Sequence, residues 1–498
     1  MLAAVGLIAY LILMVGIGIY YKKKSEGSVG AFLIGERKLP WWWGAISERA
    51  SAMSGWWTLG FPGMGASGGP TNMFWGWSCS VGAFLNWHTL SRRLRKLSGY
   101  YNANTIPDLF SSRFRDKSNV VRIVSSAIII VFMTTYMTSQ LVGMGKTFGI
   151  VFGWEYSTGI IVGMVITMLY TMLGGYLAVV ATDVIQGFLM MFTMFLVPVI
   201  ALIAMGGPGV MAANASAVNP NIFRFGGSAT GFAVAAGIIN AISNGIPLLG
   251  QPHVINRLMS VKDVDNMKNN RRSAILGFTS DFFVTIFAIT AGILALAMTG
   301  GMKDNELSIF YLCQAYIPDI LAGILYAGIL AAIMSTANSM LLSAAGEISE
   351  TIYHRVINPK ASDKTVVLLT RISIVVLTLI VCYGALKGGS VFTLTLYAWN
   401  GLGACFVPAV IALIYWKRYT KWGCVVGMLT GMGAVIAYTK LGLSAYLGGI
   451  NACIPCTLLS AVVMVIVSLC TTPPKEAEED FEIYDMLCED TDGKAKGV

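Results

Sequence analysis

The stretch SAMSGWWTLGFPGMGASGG, residues 51–69, is apolar enough to lie in a membrane but carries residues that interrupt helices. Gly55, Gly60, Pro62 and Gly63 all fall inside this one run. Glycine loosens helical backbone, and proline removes a backbone hydrogen-bond donor. Irregular backbone at membrane depth is tolerated only where it is buried in protein or lines a water-filled cavity. The stretch therefore predicts a broken membrane-spanning helix beside a binding site.

A second run of the same kind, NAISNGIPLLGQPH at residues 240–253, lies five predicted spans further along the chain. Broken helices at corresponding positions of two halves are typical of secondary transporters, whose half-helix ends bind solute and ion. The pair predicts two inverted repeats, spans 2–6 over about residues 39–206 and spans 7–11 over about residues 229–415. Kinks that neighbouring helices simply accommodate are the alternative.

The composition is that of a membrane protein. Hydrophobic residues make up 56% of the 498 residues and charged residues 12%, against about 25% charged in an average soluble domain. A soluble enzyme is thereby excluded, and an all-α polytopic membrane protein is predicted, with one transporter domain over residues 1–470. The tail, residues 471–498, is acidic and is predicted to be disordered. Thirteen apolar runs lie near residues 2–21, 39–63, 71–91, 121–148, 157–176, 181–206, 229–251, 273–299, 320–353, 365–386, 391–415, 422–439 and 452–470.

The basic residues predict the orientation of these spans. Most of the 34 Lys and Arg residues fall on alternate connections, including residues 92–122 and 257–272. Cytoplasmic loops carry an excess of Lys and Arg, so the chain is predicted to cross the cell inner (plasma) membrane with its N-terminus outside and its C-terminus in the cytoplasm. The net charge of +9 then reflects topology and contact with the lipid bilayer, and no nucleic-acid partner is expected.

Six segments of the chain carry a family resemblance: AMSGWWTLGFPG, LNWHTLSRRLR, NANTIPDLFSSRFRDKS, GGYLAVVATDVIQGFLM, GQPHVINRLMS and ILAAIMSTANSMLL. In the same order they resemble segments of the solute:sodium symporter family, most closely its sodium/proline symporters. The resemblance runs from about residue 30 to about residue 420. It implies a LeuT-type fold of thirteen spans with alternating access, in which the sodium gradient drives solute uptake.

The resemblance also implies a principal sodium site. It places the ion on the backbone carbonyls of Ala50, Met53 and Ala332 and on the hydroxyls of Ser335 and Thr336. The residue types agree independently, because a hard cation prefers oxygen ligands and residues three and four apart share one face of a helix. The alternative for the two hydroxyls is a hydrogen bond back to a carbonyl of their own helix.

Asp183 matches an aspartate that supports sodium coupling in the family. In some members this aspartate contributes to a second ion site, whose other positions correspond here to Asn338 and Ser339. Asn338 stands where that site would have a serine. Capping of the sixth span is the alternative for Asp183.

The solute site implied by the resemblance lies at the two broken spans. Asn244 and Leu248 replace two aromatic residues of the family's proline pocket, and Ala52 and Asn72 replace two acidic residues. The pocket therefore has a different shape and hydrogen-bonding pattern, and proline, another amino acid or another carboxylate is the expected solute. The implied solute-binding residues are Ser54, Gly55, Trp56, Tyr136, Asn244, Leu248 and Pro252.

Glu48 and Arg49 form an unexpected pair of charges inside the second span, where the relatives have small neutral residues. They lie roughly 15 Å from Leu39 along a helix, near the middle of the bilayer. Neighbouring residues on a helix point about 100° apart, so direct pairing is expected only if the helix is unwound there. Asp281 in the eighth span is another partner for Arg49.

Three interpretations of these charges stay open. Glu48, Arg49 and Asp281 form a structural ion-pair network, or Arg49 binds a substrate carboxylate, or Glu48 is a protonatable site. The sequence as a whole predicts a sodium-coupled secondary active symporter, not an enzyme, that imports a small organic solute and functions as a monomer. The alternatives are a proton-coupled symporter of a carboxylate, with H+ in place of Na+, and a membrane sensor built on the same fold.

Overall fold

The computed structural model describes residues 2–25, 27–262 and 266–489, and these ranges consist of helices joined by short turns. The α-helices are Leu2–Ser25 (α1), Val29–Ile34 (α2), Trp41–Gly55 (α3), Phe61–Gly68 (α4), Met73–Leu85 (α5), Ser91–Tyr100 (α6), Ile106–Arg113 (α7), Val120–Phe152 (α8), Tyr156–Ala204 (α9), Pro208–Val218 (α10), Phe232–Ser243 (α11), Pro252–Ser260 (α12), Met267–Thr299 (α13), Ser308–Tyr316 (α14), Asp319–Gly346 (α15), Asp363–Ala385 (α16), Val391–Tyr415 (α17), Lys421–Lys440 (α18), Leu443–Tyr446 (α19), Cys453–Cys470 (α20) and Lys475–Glu489 (α21). Short 3₁₀ turns span Gly35–Arg37, Gly69–Asn72, Ile246–Gly250 and Asn305–Leu307, and π-helical turns span Trp56–Gly60, Asn86–Leu90 and Glu347–Ile357.

Ten helical segments in the described ranges are long and apolar enough to cross a membrane. The predicted spans 39–63 and 71–91 are not among them, because each is assembled from shorter helices, α3 with α4 and α5 with α6. The predicted spans 157–176 and 181–206 both lie in α9. The protein is therefore a multi-pass membrane protein, whereas the count of thirteen spans and the inverted-repeat relationship stay predictions.

Helix α9 is two helices joined at one residue. Its 49 residues would measure about 74 Å as one rod, more than twice the roughly 30 Å of a bilayer core. Gly175 has φ 55° and ψ −156°, a conformation that glycine adopts at little cost. A Cβ at this residue would come within 2.9 Å of the Phe32 ring. Backbone conformation and packing therefore both require glycine at the junction.

The two interrupted runs of the sequence leave helical geometry inside the protein. Ser54, near the end of α3, has φ 55° and ψ −176°, and the chain continues through the turn Trp56–Gly60 into α4. Between α11 and α12, the turn Ile246–Gly250 replaces regular helix. The break at Ser54 lies next to α8 and α15, whereas the turn Ile246–Gly250 packs against α17 and α5.

The centre of the bundle is formed by α15 and α17. In their most apolar segments 83% and 89% of the residues are buried. α15 packs against α1, α3, α8 and α9, and α17 packs against α8, α18, α20 and the turn Ile246–Gly250. Outer helices instead expose apolar side chains such as Leu379 and Ile380 of α16, as expected for a surface that faces lipid. α15 therefore packs against the first broken segment and α17 against the second, both from the centre of the bundle.

The prediction of a disordered tail is wrong for residues 475–489, which form α21. The Asp480 carboxylate accepts hydrogen bonds from Arg115 Nε at 2.7 Å and Nη2 at 2.8 Å. Arg113 Nη1 donates to the carbonyl of Ala477 at 2.6 Å, and its guanidinium lies over the Phe481 ring. The acidic helix has a basic loop as its partner, which composition alone did not indicate. Residues 490–498 lie outside the described ranges.

Candidate functional site

The hydroxyls of α15 meet the backbone of α3 just before the break at Ser54. Ser335 Oγ donates to the carbonyl of Ala50 at 2.8 Å, and Thr336 Oγ1 donates to the carbonyl of Ser51 at 2.9 Å. Both hydroxyls also lie near the carbonyl of Ala332, at 3.1 and 3.2 Å. These five oxygens, from Ala50, Ser51, Ala332, Ser335 and Thr336, are called the oxygen cluster below. All five residues are buried.

The alternative for Ser335 and Thr336 is that each hydroxyl bonds only to a carbonyl of its own helix, α15. Each hydroxyl has a single hydrogen, and in each case its shorter contact crosses to α3 and not to Ala332. The carbonyls of Ala50 and Ser51 are thereby held next to the two hydroxyl oxygens. A group of neutral oxygens in a buried position is the donor set that a hard cation prefers. The shorter hydrogen bonds therefore join α15 to α3, and the assignment of a sodium ion to these oxygens stays a prediction.

Met53 behaves differently from the other four predicted ligands. Its carbonyl, with that of Ser54, faces the backbone N–H of Trp56 across the break. The carbonyl that meets Thr336 belongs to Ser51, which the sequence did not single out as a backbone ligand. The chain leaves helical geometry at Ser54, directly after Met53. The carbonyls that meet the two hydroxyls are therefore those of Ala50 and Ser51, and not the predicted pair Ala50 and Met53.

The break itself is held by α8. Gln140 Oε1 accepts a hydrogen bond from the backbone N–H of Gly55 at 2.9 Å, and Tyr136 donates its hydroxyl hydrogen to Ser54 Oγ at 3.3 Å. A Cβ at Gly55 would lie 3.1 Å from Ile333 and 3.2 Å from Gln140. The absence of a side chain at Gly55 therefore allows α8 and α15 to approach the broken segment closely.

Aromatic side chains surround the broken segments. The ring centroid of Trp399, on α17, lies 5.6 Å from that of Trp56 and 6.5 Å from that of Tyr136. Trp399 Nε1 donates to the carbonyl of Asn244 at 3.0 Å, and its own carbonyl accepts from Gln251 Nε2 at 3.3 Å. Trp399 therefore links the break in α3 to the turn between α11 and α12. Three of the predicted solute residues, Trp56, Tyr136 and Asn244, therefore contact it.

Several buried polar atoms at this junction have no hydrogen-bond partner among the described residues. Trp56 Nε1 is an unpaired donor, Asn244 Oδ1 and Gln251 Oε1 are unpaired acceptors, and both ring nitrogens of His253 are unpaired. Unpaired polar groups in a protein interior are costly, so each one calls for an explanation. A bound polar solute that donates and accepts hydrogen bonds supplies one.

Leu248 and Pro252 contribute shape and backbone contacts to this region. Both are buried, and the carbonyl of Leu248 accepts from Asn86 Nδ2 at 3.3 Å. Pro252 starts α12, where its missing N–H costs no helical hydrogen bond. The amide nitrogen of Asn244 contacts Cys79 Sγ at 3.3 Å, which leaves the amide oxygen as its unpaired atom.

Asp183 is held by an arginine that the sequence assigned to a cytoplasmic connection. Arg257 Nη2 lies 3.0 Å from Asp183 Oδ2, and both side chains are buried. The same carboxylate oxygen accepts hydrogen bonds from Ser47 at 2.6 Å and from Ser51 at 3.1 Å. The alternative of a helix cap for Asp183 is wrong, because Asp183 lies inside α9 and its carboxylate contacts side chains of α3 and α12.

Arg257 also reaches Ser339, one of the other residues predicted for a second ion. Its Nη2 donates to Ser339 Oγ, which lies 2.9 Å from Ser51 Oγ. Asn338 accepts a hydrogen bond from Thr171 at 3.0 Å, and its amide nitrogen has no partner among the described residues. Two of the three residues predicted for a second ion, Asp183 and Ser339, therefore contact a guanidinium, which is itself a cation.

Glu48, Arg49 and Asp281 do form one network, called the charge cluster below. Arg49 Nη1 lies 2.6 Å from Asp281 Oδ2, while Nε and Nη2 both donate to the Glu48 carboxylate. Trp87 Nε1 also donates to Glu48, at 3.4 Å. The expectation that the helix must be unwound for direct pairing is wrong. Residues 48 and 49 are helical, and the long arginine side chain folds back onto its neighbour.

Sequence reasoning missed some residues that complete the site, because their roles depend on contacts between distant segments. Signals were present for two of them, since Arg257 and His253 stand four residues apart directly after the second interrupted run. Arg257 Nη1 donates to the carbonyl of His253, which places both on one turn of α12. The missed residues are Ser47, Ser51, Gln140, Gln251, His253, Arg257 and Trp399.

Comparison with known proteins identifies relatives of this chain. The chain is 33% identical over 474 residues to the osmoregulated proline transporter OpuE of Bacillus subtilis, covering 94% of each chain. It is also 33% identical to the sodium/proline symporter of Staphylococcus aureus, covering 93% of this chain and 92% of that one. Among solved structures, a Na+-coupled sialic acid symporter in its substrate-bound outward-open state has a TM-score of 0.77 at 19% identity. The match covers 95% of this chain and 98% of the other, and it shows a shared fold.

The sequence model of the Sodium:solute symporter family matches residues 32–431. This range includes the oxygen cluster, the broken segments, Arg257 and the charge cluster. The predicted all-α polytopic fold of the LeuT type is confirmed, and so is the expectation of a transporter in place of an enzyme. The family model matches most of the chain, and the relatives are similar over nearly all of it. The chain therefore belongs to the sodium:solute symporter family.

Proposed function

We propose that this symporter imports an amino acid together with one sodium ion, and that proline is one candidate solute. Sodium-coupled symport of a small solute follows from family membership. The identity of the solute is the proposal. The observation that supports it best is the set of unpaired polar atoms around Trp399, which includes both a donor and acceptors.

A zwitterionic amino acid fits this set of groups. Its carboxylate needs hydrogen-bond donors, and Trp56 Nε1 together with His253 can supply them. Its ammonium or secondary amine needs acceptors, and Asn244 Oδ1 and Gln251 Oε1 can supply these. The half-helix that begins after Ser54 adds a favourable end for an anion, because helix N-termini carry partial positive charge. The named relatives transport proline, which agrees with a solute of this class.

The proposal of a single sodium ion is supported by the contrast between two groups. The oxygen cluster has five neutral oxygens, and within the described part of the chain no cationic side chain hydrogen-bonds to them. The second predicted position, around Asp183 and Ser339, is contacted by the guanidinium of Arg257. A sodium ion there would be repelled by a fixed positive charge within a few ångströms.

Arg49 is not suited to bind a substrate carboxylate. Three of its nitrogens already donate to Glu48 and Asp281. Binding a solute would require the breaking of buried ion pairs, which costs about 3–5 kcal/mol when one partner is lost. The structural interpretation of the charge cluster therefore has the better support, and the carboxylate of the solute is assigned to the region of Trp56.

We also propose that one chain is sufficient, because the oxygen cluster and the solute-binding groups all come from the same chain. The orientation with the C-terminus in the cytoplasm of the plasma membrane is supported by the basic segment that contacts α21. The sensor alternative predicts solute binding without accumulation, so a transport assay separates it from symport.

The test is uptake of radiolabelled amino acids, with proline included, into proteoliposomes that have an inward sodium gradient. Accumulation of at least one amino acid above its external concentration, abolished when sodium is absent, is the expected result. Uptake that is unchanged without sodium, or a solute with neither carboxylate nor amine as the best substrate, would contradict the proposal. The variant Ser444→Ala, in the short helix α19, which packs on α18, serves as the control.

A further inference from the structure

The charge cluster carries an excess of one negative charge when all its groups are ionised. It consists of the carboxylates of Glu48 and Asp281 and the guanidinium of Arg49, and all three side chains are buried. A buried network with unequal charges is unfavourable in the membrane interior. Some further positive charge must therefore accompany the cluster.

The hydrogen bonds show which carboxylate lacks compensation. Both Glu48 oxygens accept hydrogen bonds from Arg49, and one of them also accepts from Trp87. Asp281 Oδ2 accepts from Arg49 Nη1. Asp281 Oδ1 is buried and has no hydrogen-bond partner among the described residues. The missing positive charge therefore belongs at Asp281.

The surroundings of Asp281 suit a proton better than a metal cation. A hard cation in a protein is held by several oxygen ligands. Among the described residues, the hydroxyl of Thr285 donates to the backbone carbonyl of Asp281, and that of Ser280 donates to the backbone carbonyl of Gly277. The titratable and charged groups that act on Asp281 from the packed helices, within the described residues, are Glu48 and Arg49 on α3 and Cys79 on α5. The thiol and the arginine offer no oxygen for a metal, and the Glu48 oxygens already accept hydrogen bonds from Arg49 and Trp87.

We propose that Asp281 is a reversible proton-binding site that opposes sodium binding at the oxygen cluster. This inference rests on the proposed sodium symport. Arg49 of the charge cluster directly precedes Ala50 of the oxygen cluster in α3. A cavity of about 590 Å³ is lined by both residues and by Ser280 and Val284, the neighbours of Asp281 on α13. The two positive charges therefore bind close together and repel one another.

The expected effect is a sodium affinity that depends on pH. Two unit charges about 10 Å apart, at an effective dielectric constant of about 20, change each other's binding constant by roughly tenfold. A rise in pH removes the proton from Asp281, and sodium then binds more tightly. Sodium binding in turn releases a proton, because linkage between two sites is reciprocal.

The experiment measures sodium binding to the purified full-length protein by thermal stabilisation, between about pH 5.5 and pH 8.5. The wild type is expected to bind sodium about tenfold more tightly at the upper end of this range. Asp281→Asn, which resembles the protonated form, is expected to bind sodium with an affinity that does not change with pH. Asp319→Asn, at the exposed start of α15, is the matched control and should behave as the wild type. An Asp281→Asn variant that keeps the wild-type pH dependence overturns the proposal.

A second measurement does not depend on sodium or on transport. Infrared difference spectra of the wild type between the same pH limits should show the carbonyl stretch of a buried protonated carboxyl group, and the Asp281→Asn spectrum should lack it. If this band is absent from the wild type, the proton site is overturned even where sodium symport is intact. If the band is present while no sodium binding occurs at any pH, the proton site stands and the proposed symport fails. Should Asp281→Asn fail to fold, the conservative variant Asp281→Glu is used, whose band should be shifted but present.

Discussion

Arg257 Nη2 lies 3.0 Å from Asp183 Oδ2 in the buried core of the protein, although the two residues are 74 positions apart in the sequence. The contact joins α12, which follows the second broken segment, to α9. Since Ser47, Ser51 and Ser339 also contact this pair, it forms a polar centre that connects four helices. This centre occupies the place where the sequence suggested a second sodium ion.

Replacing Arg257 should destabilise the protein strongly. In Arg257→Met the Asp183 carboxylate is left buried without a counter-charge, which costs about 3–5 kcal/mol. The double variant Arg257→Met with Asp183→Asn should recover most of this loss, because the unpaired charge is removed as well. The thermal unfolding midpoint in detergent measures both effects. A double variant that is no more stable than Arg257→Met would show that the pair is not the source of the loss.

Sodium affinity should fall when either hydroxyl of the oxygen cluster is removed. Ser335→Ala and Thr336→Ala each take away one oxygen ligand, and a hydrogen bond or contact to a charged group contributes about 1.5–3 kcal/mol. The sodium concentration for half-maximal uptake should therefore rise at least tenfold in each variant. The control is Ser349→Ala, because Ser349 is a buried hydroxyl that contacts Ala345 and Thr370. An equal rise in the control variant would argue against a role specific to the cluster.

The indole nitrogen of Trp56 should be needed for solute binding but not for sodium binding. Trp56→Phe keeps an aromatic ring beside Trp399 and Phe61 while it removes the unpaired Nε1 donor. The KM for an amino acid should rise about tenfold, in line with the loss of one hydrogen bond to a charged group. Sodium affinity, measured by thermal stabilisation, should stay unchanged. A parallel loss of sodium affinity would indicate that the substitution disturbs the whole break at Ser54.

The contact between Asp480 of α21 and Arg115 should contribute little to stability. The Arg115 side chain is about half exposed, so water screens the ion pair and its contribution is about 1 kcal/mol or less. Asp480 is buried and also accepts hydrogen bonds from Tyr100 and Tyr101, and asparagine keeps an oxygen that can accept them. Asp480→Asn should therefore lower the thermal midpoint only slightly and should leave uptake unchanged at moderate salt. Deletion of residues 475–498 provides a comparison for the whole helix. A strong loss of transport in Asp480→Asn alone would show that α21 takes part in the transport cycle.

The fold could be anticipated from the sequence where local patterns decide it. Gly55, Pro62 and Pro247 signalled interrupted helices, and the i, i+3, i+4 spacing of Ala332, Ser335 and Thr336 put three oxygens on one face of a helix. Both inferences depend only on neighbouring residues. The corresponding geometry, including the approach of Ser335 and Thr336 to α3, is present in the structure.

The partners of the charged residues could not be anticipated in the same way. Arg257 follows an interrupted helix and was assigned to a basic connection, yet α12 carries it into the core beside Asp183. The acidic tail was expected to be disordered, because its composition does not reveal the basic surface formed by Arg113 and Arg115. In each case the deciding contact joins segments that are far apart in the sequence. Charge partners of this kind depend on the tertiary arrangement.

A backbone bridge between Leu39 and Val261 connects two helices that belong to different broken spans. The backbone N–H of Leu39 donates to the carbonyl of Ser260 at 3.1 Å, and the N–H of Lys262 donates to the carbonyl of Leu39 at 2.9 Å. Leu39 lies just before α3 and Val261 lies just after α12. The start of α3 and the end of α12 are thereby joined by two backbone hydrogen bonds. An opening motion at this end of the protein that moved only one of them would have to break both bonds.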